Sequence, residues 1–232
     1  MKDYQAENLK LLKNDIFEVC KRVGRNVDEI KLIAVSKTFP VEDILTVFNA
    51  GQIDFGENKP QEMKEKYDEL SYKNIRWHMI GHLQTNKVKY IADYVYLIHS
   101  VDSEKLAEEI QRQAEKRNKV LDILVQVNTS DEMQKSGVDP DKTENLCRYV
   151  SGLSNVRLCG LMTIGKFTDD KNIIRGNFKD LKNLYDELKT SFPDFKYLSM
   201  GMTSDYEIAI EEGANLLRIG SAIFGKREYE IT

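Results

Sequence analysis

The sequence predicts an α/β protein, a single (β/α)8 barrel of parallel strands with an extra helix at its N-terminus. Three observations carry that reading. Eight short apolar runs alternate with seven helical stretches, and one helix precedes them all; alternating βα units favour a parallel sheet. The 232 residues suit one closed barrel, which takes roughly 250, and leave too little chain for a second domain. An open doubly wound sheet would put a glycine-rich dinucleotide turn after the first strand, and there the chain reads Ser36-Lys37-Thr38-Phe39-Pro40.

The leading helix spans Asp3 to Arg22. Leu9, Leu12, Ile16, Val19 and Val23 step by three and four residues into one apolar stripe, and Gly24 supplies a stop. This helix is expected to fill the place on the barrel wall that a final helix would take. The first strand is the run Lys31 to Lys37; a helical stretch with Ile44, Val47 and Phe48 follows Pro40 and closes at Gly51. Ile53 to Asn58 is a weaker strand, and Pro60 to Leu70 the helix behind it. Ile75 to Gly81 is the third strand, with a short helix after Thr85. Tyr94 to Ser100 is the fourth; Ser103 and Glu104 suit the N-terminus of a strong helix that runs to Asn118. Leu121 to Asn128 is the fifth strand, followed by a long polar loop over Ser130 to Asp141 and a helix over Thr143 to Ser151. Val156 to Ile164 leads into a helix over Ile173 to Phe192, Tyr197 to Met202 into one over Ser204 to Glu212, and Asn215 to Gly220 is the eighth strand. The expected organisation is one domain over 1–232, with the leading helix at about 3–23 and the barrel at about 31–225.

Composition narrows the function classes. The formal net charge is -4 and the sequence pI about 5.6, whereas a protein that neutralises nucleic-acid phosphates is more often basic. No apolar run approaches the ~20 residues of a membrane helix. The opening Met1-Lys2-Asp3-Tyr4-Gln5 has no signal-peptide pattern, so a cytoplasmic protein is expected. Cys20, Cys147 and Cys159 are odd in number and lack CxxC spacing, which argues against a disulfide framework or a thiolate zinc site. Cys159 lies in an apolar run and reads as core.

In such a barrel the working residues sit where strands end, which nominates Lys37, Asn58, His82, Ser100, Asn128, Thr163, Ser199 to Gly201 and Arg218 to Ser221. A lysine aimed at the barrel mouth loses hydration, which lowers its pKa, and a neutral amine can form a Schiff base; the alternative for Lys37 is a side chain bent out to solvent. Barrels often bind phosphate between the seventh and eighth loops. Ser199-Met200-Gly201-Met202-Thr203-Ser204-Asp205 and Arg218-Ile219-Gly220-Ser221 provide backbone and hydroxyl donors there, though the glycines could equally serve only turns. Arg218, flanked by Leu217 and Ile219, needs a partner if buried, either a protein carboxylate or a ligand acceptor. His78 and His82 are four apart but span a strand and its loop, so the helical metal-ligand argument fails. His99 reads as a core histidine, Trp77 as core, and Lys87 with Lys89 as a solvated face.

Several segments match one family in order along nearly the whole chain: Ala34-Val35-Ser36-Lys37-Thr38, Phe55-Gly56-Glu57-Asn58, Trp77-His78-Met79-Ile80-Gly81-His82, Gln134-Lys135-Ser136-Gly137, Gly160-Leu161-Met162-Thr163-Ile164, Leu198 to Asp205 and Leu217 to Gly225. With them the chain resembles the YggS/PROSC family, the pyridoxal phosphate homeostasis proteins. The resemblance implies an alanine-racemase-like barrel without a second β domain, with pyridoxal 5′-phosphate (PLP) as a covalent aldimine on Lys37. It implies phosphate held by Ser199, Gly201, Ser204, Gly220 and Ser221. It puts Arg218 near the pyridine nitrogen, and Asn58 and Met200 along the ring or its hydroxyl side. Two departures stand out: Lys59-Pro60, where the family more often has an aromatic or aliphatic pair, and Thr203, which makes Thr203 the alternative to Ser204 at the phosphate.

An arginine at the pyridine nitrogen keeps it unprotonated, so the ring is a poorer electron sink. A racemase of this type also needs a second positioned base, which related racemases take from an added β domain; none is expected before Thr232. The expected function is therefore PLP homeostasis without catalysis, holding and releasing the cofactor and so affecting the amino-acid and keto-acid balance. The expected partners are PLP and PLP-dependent apo-enzymes, with no nucleic acid, no membrane and no metal, and the expected state is a monomer. The alternatives are a small PLP-dependent amino-acid racemase and a Schiff-base lysine aldolase.

Overall fold

The structure, a computed structural model, describes residues 4–130 and 136–225. A leading helix α1 (Tyr4–Val23) precedes β1 (Lys31–Val35), α2 (Val41–Asn49), β2 (Asp54–Glu57), α3 (Pro60–Leu70) and β3 (Arg76–Met79). A 3-10 segment (Thr85–Tyr90) leads to β4 (Val95–Val101), α4 (Glu104–Glu115), β5 (Leu121–Gln126), α5 (Pro140–Ser151) and β6 (Val156–Met162). The chain ends in α6 (Lys171–Lys189), β7 (Tyr197–Ser199), α7 (Tyr206–Glu211), β8 (Leu216–Ile219) and α8 (Ser221–Phe224).

The strands close into a barrel in chain order, β1 to β8. The seam is the parallel pairing of β1 with β8, in which Lys31 faces Leu216 and Ala34 faces Ile219. Apolar side chains form two shells, because strand residues point alternately outward and inward. The larger shell lies between strands and helices and includes Leu9, Ile44, Phe55, Trp77 and Phe178. A smaller set, Ile33, Leu97, Leu124, Cys159, Met162, Tyr197 and Leu216, forms a separate cluster. Cys20, Cys147 and Cys159 are all buried thiols.

The expected alternation is observed; seven of the strands end sooner than their apolar runs, and β4 ends one residue later, at Val101. Apolar character marks burial, and single backbone bonds such as Ser36 N–H to Gly56 O at 3.1 Å carry the pairing one residue past a strand's end. β1 stops at Val35 because Phe39 N–H returns to Ser36 O at 3.1 Å, so Ser36 and Lys37 belong to a turn. β7 stops at Ser199, just before Gly201 takes a φ of 93°. α5 begins at Pro140, earlier than expected, with proline in its first turn where its missing N–H costs nothing. Ser103 occupies the position before α4 but makes no capping bond. Asp3, Gln134 and Lys135 lie outside the described residues.

The leading helix takes the place of a full-length eighth helix. Tyr4 Oη donates to Phe224 O at 3.0 Å, and Asn8 Nδ2 to Ile223 O at 3.0 Å. Gln5 Nε2 reaches Asp43 at 2.7 Å on the α2 side, and Arg22 pairs with Glu207 and Glu211 of α7 at 3.1 Å. α8 is a single turn beneath it. Among the described residues no helix is long and apolar enough to cross a membrane.

Since α1 completes the wall, Leu9→Ala, at a position 1% exposed, should cost about 2–5 kcal/mol. Urea unfolding checks this; a loss below about 1 kcal/mol would mean that α1 is not part of the cooperative unit.

Candidate functional site

A cavity of about 820 Å³ opens where the strands deliver their C-terminal ends. Of the predicted residues, Lys37, Asn58, Ser204, Arg218, Gly220 and Ser221 line it. Ser199, Met200 and Gly201 do not. His82, which is exposed, and Thr203 also contribute to the wall, as does Phe167, almost fully exposed at 98%.

Lys37 is half-buried in a turn held from below by an ionic network that the sequence reading missed. The next residue, Thr38, has φ 71°, a left-handed conformation that is unfavourable for a β-branched side chain. It persists because Thr38 N–H donates to Glu62 Oε1 at 2.5 Å. The buried Lys66 ammonium donates to Ser36 O and Glu57 Oε1, each at 2.8 Å, and to Glu62 Oε1 at 2.7 Å. Ser36 Oγ donates to the same Glu57 oxygen at 2.7 Å. Burial pushes the Glu57 carboxyl up, opposed by the Lys66 charge. The period-two pattern of β2 was the available signal: Phe55 and Glu57 share one face, so an acid placed there must meet a partner on the helix behind.

Arg218 forms the floor. It is 4% exposed, and burial pulls its guanidinium down to about 10. Its Nη1 donates to Ser199 Oγ at 2.6 Å and its Nη2 to Thr163 O at 2.8 Å. The two alternatives for its partner resolve into neither a direct carboxylate nor a ligand alone; the charge of the buried Asp205 supports it without an ion-pair contact. Ser199, expected at the phosphate, is a fully buried residue committed to Arg218 and to His99 Nδ1 at 3.0 Å. Its strand position turns it inward beneath the cavity. Met200, expected along the ring, is fully buried in the outer core shell, because the alternation along the chain sends it to the opposite face.

The chain of contacts continues below. His99 Nε2 meets His78 Nδ1 at 3.0 Å, and His78 Nε2 meets Asp54 Oδ1 at 2.9 Å. Both imidazoles are buried, and burial drives both pKa values below the usual histidine range.

The polar side of the mouth is shaped by the two last loops. Asp205 Oδ1 accepts from Met202 N–H at 2.5 Å, which tightens the loop after β7. A Cβ on Gly201 would sit 2.5 Å from the Ala209 Cβ, so only glycine fits there. Thr203 Oγ1 accepts from Ala222 N–H at 3.5 Å, bringing this loop against the start of α8. The Ser204 and Ser221 residues are both exposed to the cavity. Gly81 closes the opposite wall, where a Cβ would lie 2.4 Å from Asn58 O.

A parallel barrel with a lysine turn and a buried arginine at one mouth places the molecule among the racemase-type barrels. The chain belongs to the family described as alanine racemase, N-terminal domain, which matches residues 8–228. The pyridoxal phosphate homeostasis protein of Aquifex aeolicus is 44% identical over 225 residues, covering 97% of this chain and 99% of that one. Its counterpart in Escherichia coli (strain K12) is 37% identical over 230 residues, covering 97% of each. The structure of PipY of Synechococcus elongatus with PLP bound superposes with a TM-score of 0.83 at 32% identity, over 95% of this chain and 100% of that one. The alanine racemase of Clostridium difficile in complex with cycloserine shares the fold, with a TM-score of 0.80 at 15% identity, and this chain covers 61% of it.

The two buried histidines give a pH dependence. Their folded pKa values lie below the unfolded value of about 6.5, so below that pH the unfolded chain takes up protons that the folded one does not. Stability is therefore fully present above about pH 7 and falls as pH drops through 6.5, by up to about 1.4 kcal/mol per pH unit for each ring. Denaturant unfolding at pH 7.5 and 5.5 should show the drop, and equal stability at both would contradict the assignment.

Proposed function

We propose that the chain binds PLP in this cavity and serves PLP homeostasis, carrying the cofactor covalently on the Lys37 amine, with the whole of 1–232 acting as one binding unit. The observation that most supports this is the pairing in one cavity of a half-buried lysine with a buried, charged arginine. The donor set fits the cofactor: an amine for its aldehyde, a guanidinium with N–H groups to spare for its ring nitrogen, and hydroxyls for its phosphate. Bound PLP supplies an aldehyde that condenses with an amine, with loss of water.

The residues divide the work. Lys37 presents the amine from its strained turn. Arg218 donates to the ring nitrogen and, being cationic, holds that nitrogen unprotonated. Ser204, Ser221 and the Gly220 backbone receive the phosphate, with Thr203 beside them, and Asn58 flanks the ring. The names of the relatives and the PLP-bound PipY support the same reading.

We read the protein as a carrier rather than a catalyst. Besides Lys37 and Arg218, the titratable residue lining the cavity among the described residues is His82, whose side chain is 59% exposed and poorly placed to hold a proton away from water. A cytoplasmic monomer that passes PLP to apo-enzymes, thereby affecting amino-acid and keto-acid balance, is the role this suggests.

Purified protein incubated with PLP should be yellow, and borohydride reduction should fix a pyridoxyl mass on Lys37. Lys37→Ala should abolish the covalent mass and keep the circular dichroism of the parent. A protein that stays colourless with added PLP would overturn the proposal and bring the lysine aldolase forward. Arg218→Ala should lose PLP and also about 1–3 kcal/mol of stability, since Thr163 O and Ser199 Oγ lose their buried partner; unchanged unfolding would contradict its structural part.

A further inference from the structure

We propose that Asp54, His78, His99 and Ser199 form a one-way hydrogen-bond chain that makes Asp54 the distant counter-ion of Arg218 and fixes how Arg218 is presented to the cofactor's ring nitrogen. The inference rests on the reading that the cavity holds PLP.

The direction follows from the chemistry of the two ends. A guanidinium can only donate and a carboxylate can only accept. Arg218 Nη1 therefore donates to Ser199 Oγ at 2.6 Å. The Ser199 hydroxyl is fully buried, and among the described residues its proton has one acceptor within reach, His99 Nδ1 at 3.0 Å. That leaves the proton of a neutral His99 on Nε2, from which it is donated to His78 Nδ1 at 3.0 Å. His78 in turn carries its proton on Nε2 and donates it to Asp54 Oδ1 at 2.9 Å. Every donor points from Arg218 to Asp54. Reversing the chain would require a protonated Asp54 and would leave the buried Ser199 O–H without an acceptor, a cost of about 1–3 kcal/mol.

The chain crosses the barrel from end to end. Its five members come from β2, β3, β4, β7 and β8. Arg218 lines the upper cavity, and Asp54 lines a second cavity of about 390 Å³ together with Lys31 and Arg76. Around the lower end the facing groups are Arg76, whose Nη1 lies 3.9 Å from Asp54 Oδ2, and the Tyr96 ring, 5.3 Å from the His78 ring. An excess charge on Arg218 is thus answered at the far side of the barrel through polarised neutral groups, and hydrogen bonds in series strengthen one another. None of the four needs to touch the cofactor; they are positioning residues for Arg218.

Two measurements test this. Ring nitrogen NMR on the cofactor-free protein at neutral pH should show both His78 and His99 neutral with the proton on Nε2; an Nδ1–H tautomer or an imidazolium at either ring overturns the chain. Binding of PLP is then compared with that of the analogue carrying a carbon in place of the ring nitrogen. His99→Leu should weaken PLP about fivefold or more, the loss of one charge-assisted hydrogen bond, and should leave the carbon analogue within about twofold of the parent. His99→Gln, which keeps one donor and one acceptor, should restore PLP binding to within about twofold. Equal loss of both ligands in His99→Leu would show that His99 acts through packing and would overturn the proposal. Failure of the unaltered protein to bind PLP would instead strike the proposed function, while the tautomer measurement still decides the chain.

Discussion

Burying the guanidinium of Arg218 in a closed barrel imposes a requirement that several strands share. A charge taken out of water costs several kcal/mol unless its surroundings replace the lost hydration. Among the described residues no carboxylate is in ion-pair contact with it. The replacement is a serine hydroxyl, a backbone carbonyl, the field of Asp205, and two histidines leading to a second acid. This arrangement keeps the arginine charged and oriented without consuming it in an ion pair, so it stays able to meet a neutral acceptor from the cavity. It also explains why histidines, a serine and an acid occupy strand positions that in an ordinary barrel are bulky and apolar.

The other fixed point is the turn that carries Lys37. Thr38 adopts a backbone conformation that costs energy, and the network of Glu57, Glu62 and Lys66 supplies the bonds that hold it. Removing one partner of such a buried pair leaves an uncompensated charge, which costs about 3–5 kcal/mol. The lysine is thereby kept at the rim by α3, an element that contributes nothing else to the cavity. Rigidity at the rim and a charge on the floor come from separate devices, β2 with α3 in one case and the strands that share Arg218 in the other.

Much of this was legible along the chain. The eight runs marked the strands, and Lys37, Asn58, Ser204, Gly220, Ser221 and Arg218 were nominated by strand ends and resemblance together. What the chain concealed is direction. Ser199 and Ser204 look alike as polar residues near one strand end, yet one turns down to Arg218 and the other stands in the cavity. Met200 follows directly on Ser199, the last residue of β7, yet turns to the opposite face, into the outer shell. The links between Asp54, His78, His99 and Ser199 span up to a hundred positions, and nothing in local sequence pairs them. Thr38 carries no local signal, since glycine or asparagine is the residue expected at a positive φ.

The seating of α1 on α8 has a temporal side. Its Tyr4 binds a carbonyl 220 positions later in the chain. A ribosome adding about 5–20 residues per second needs on the order of ten to forty seconds to make the second partner after the first. Through that interval the stripe of Leu9, Leu12, Ile16 and Val19 lacks the side of its wall that α7 and α8 supply, and non-local contacts of this kind form late and slowly. A helix made before the barrel strands is thus fully housed only when β8 and α8 arrive.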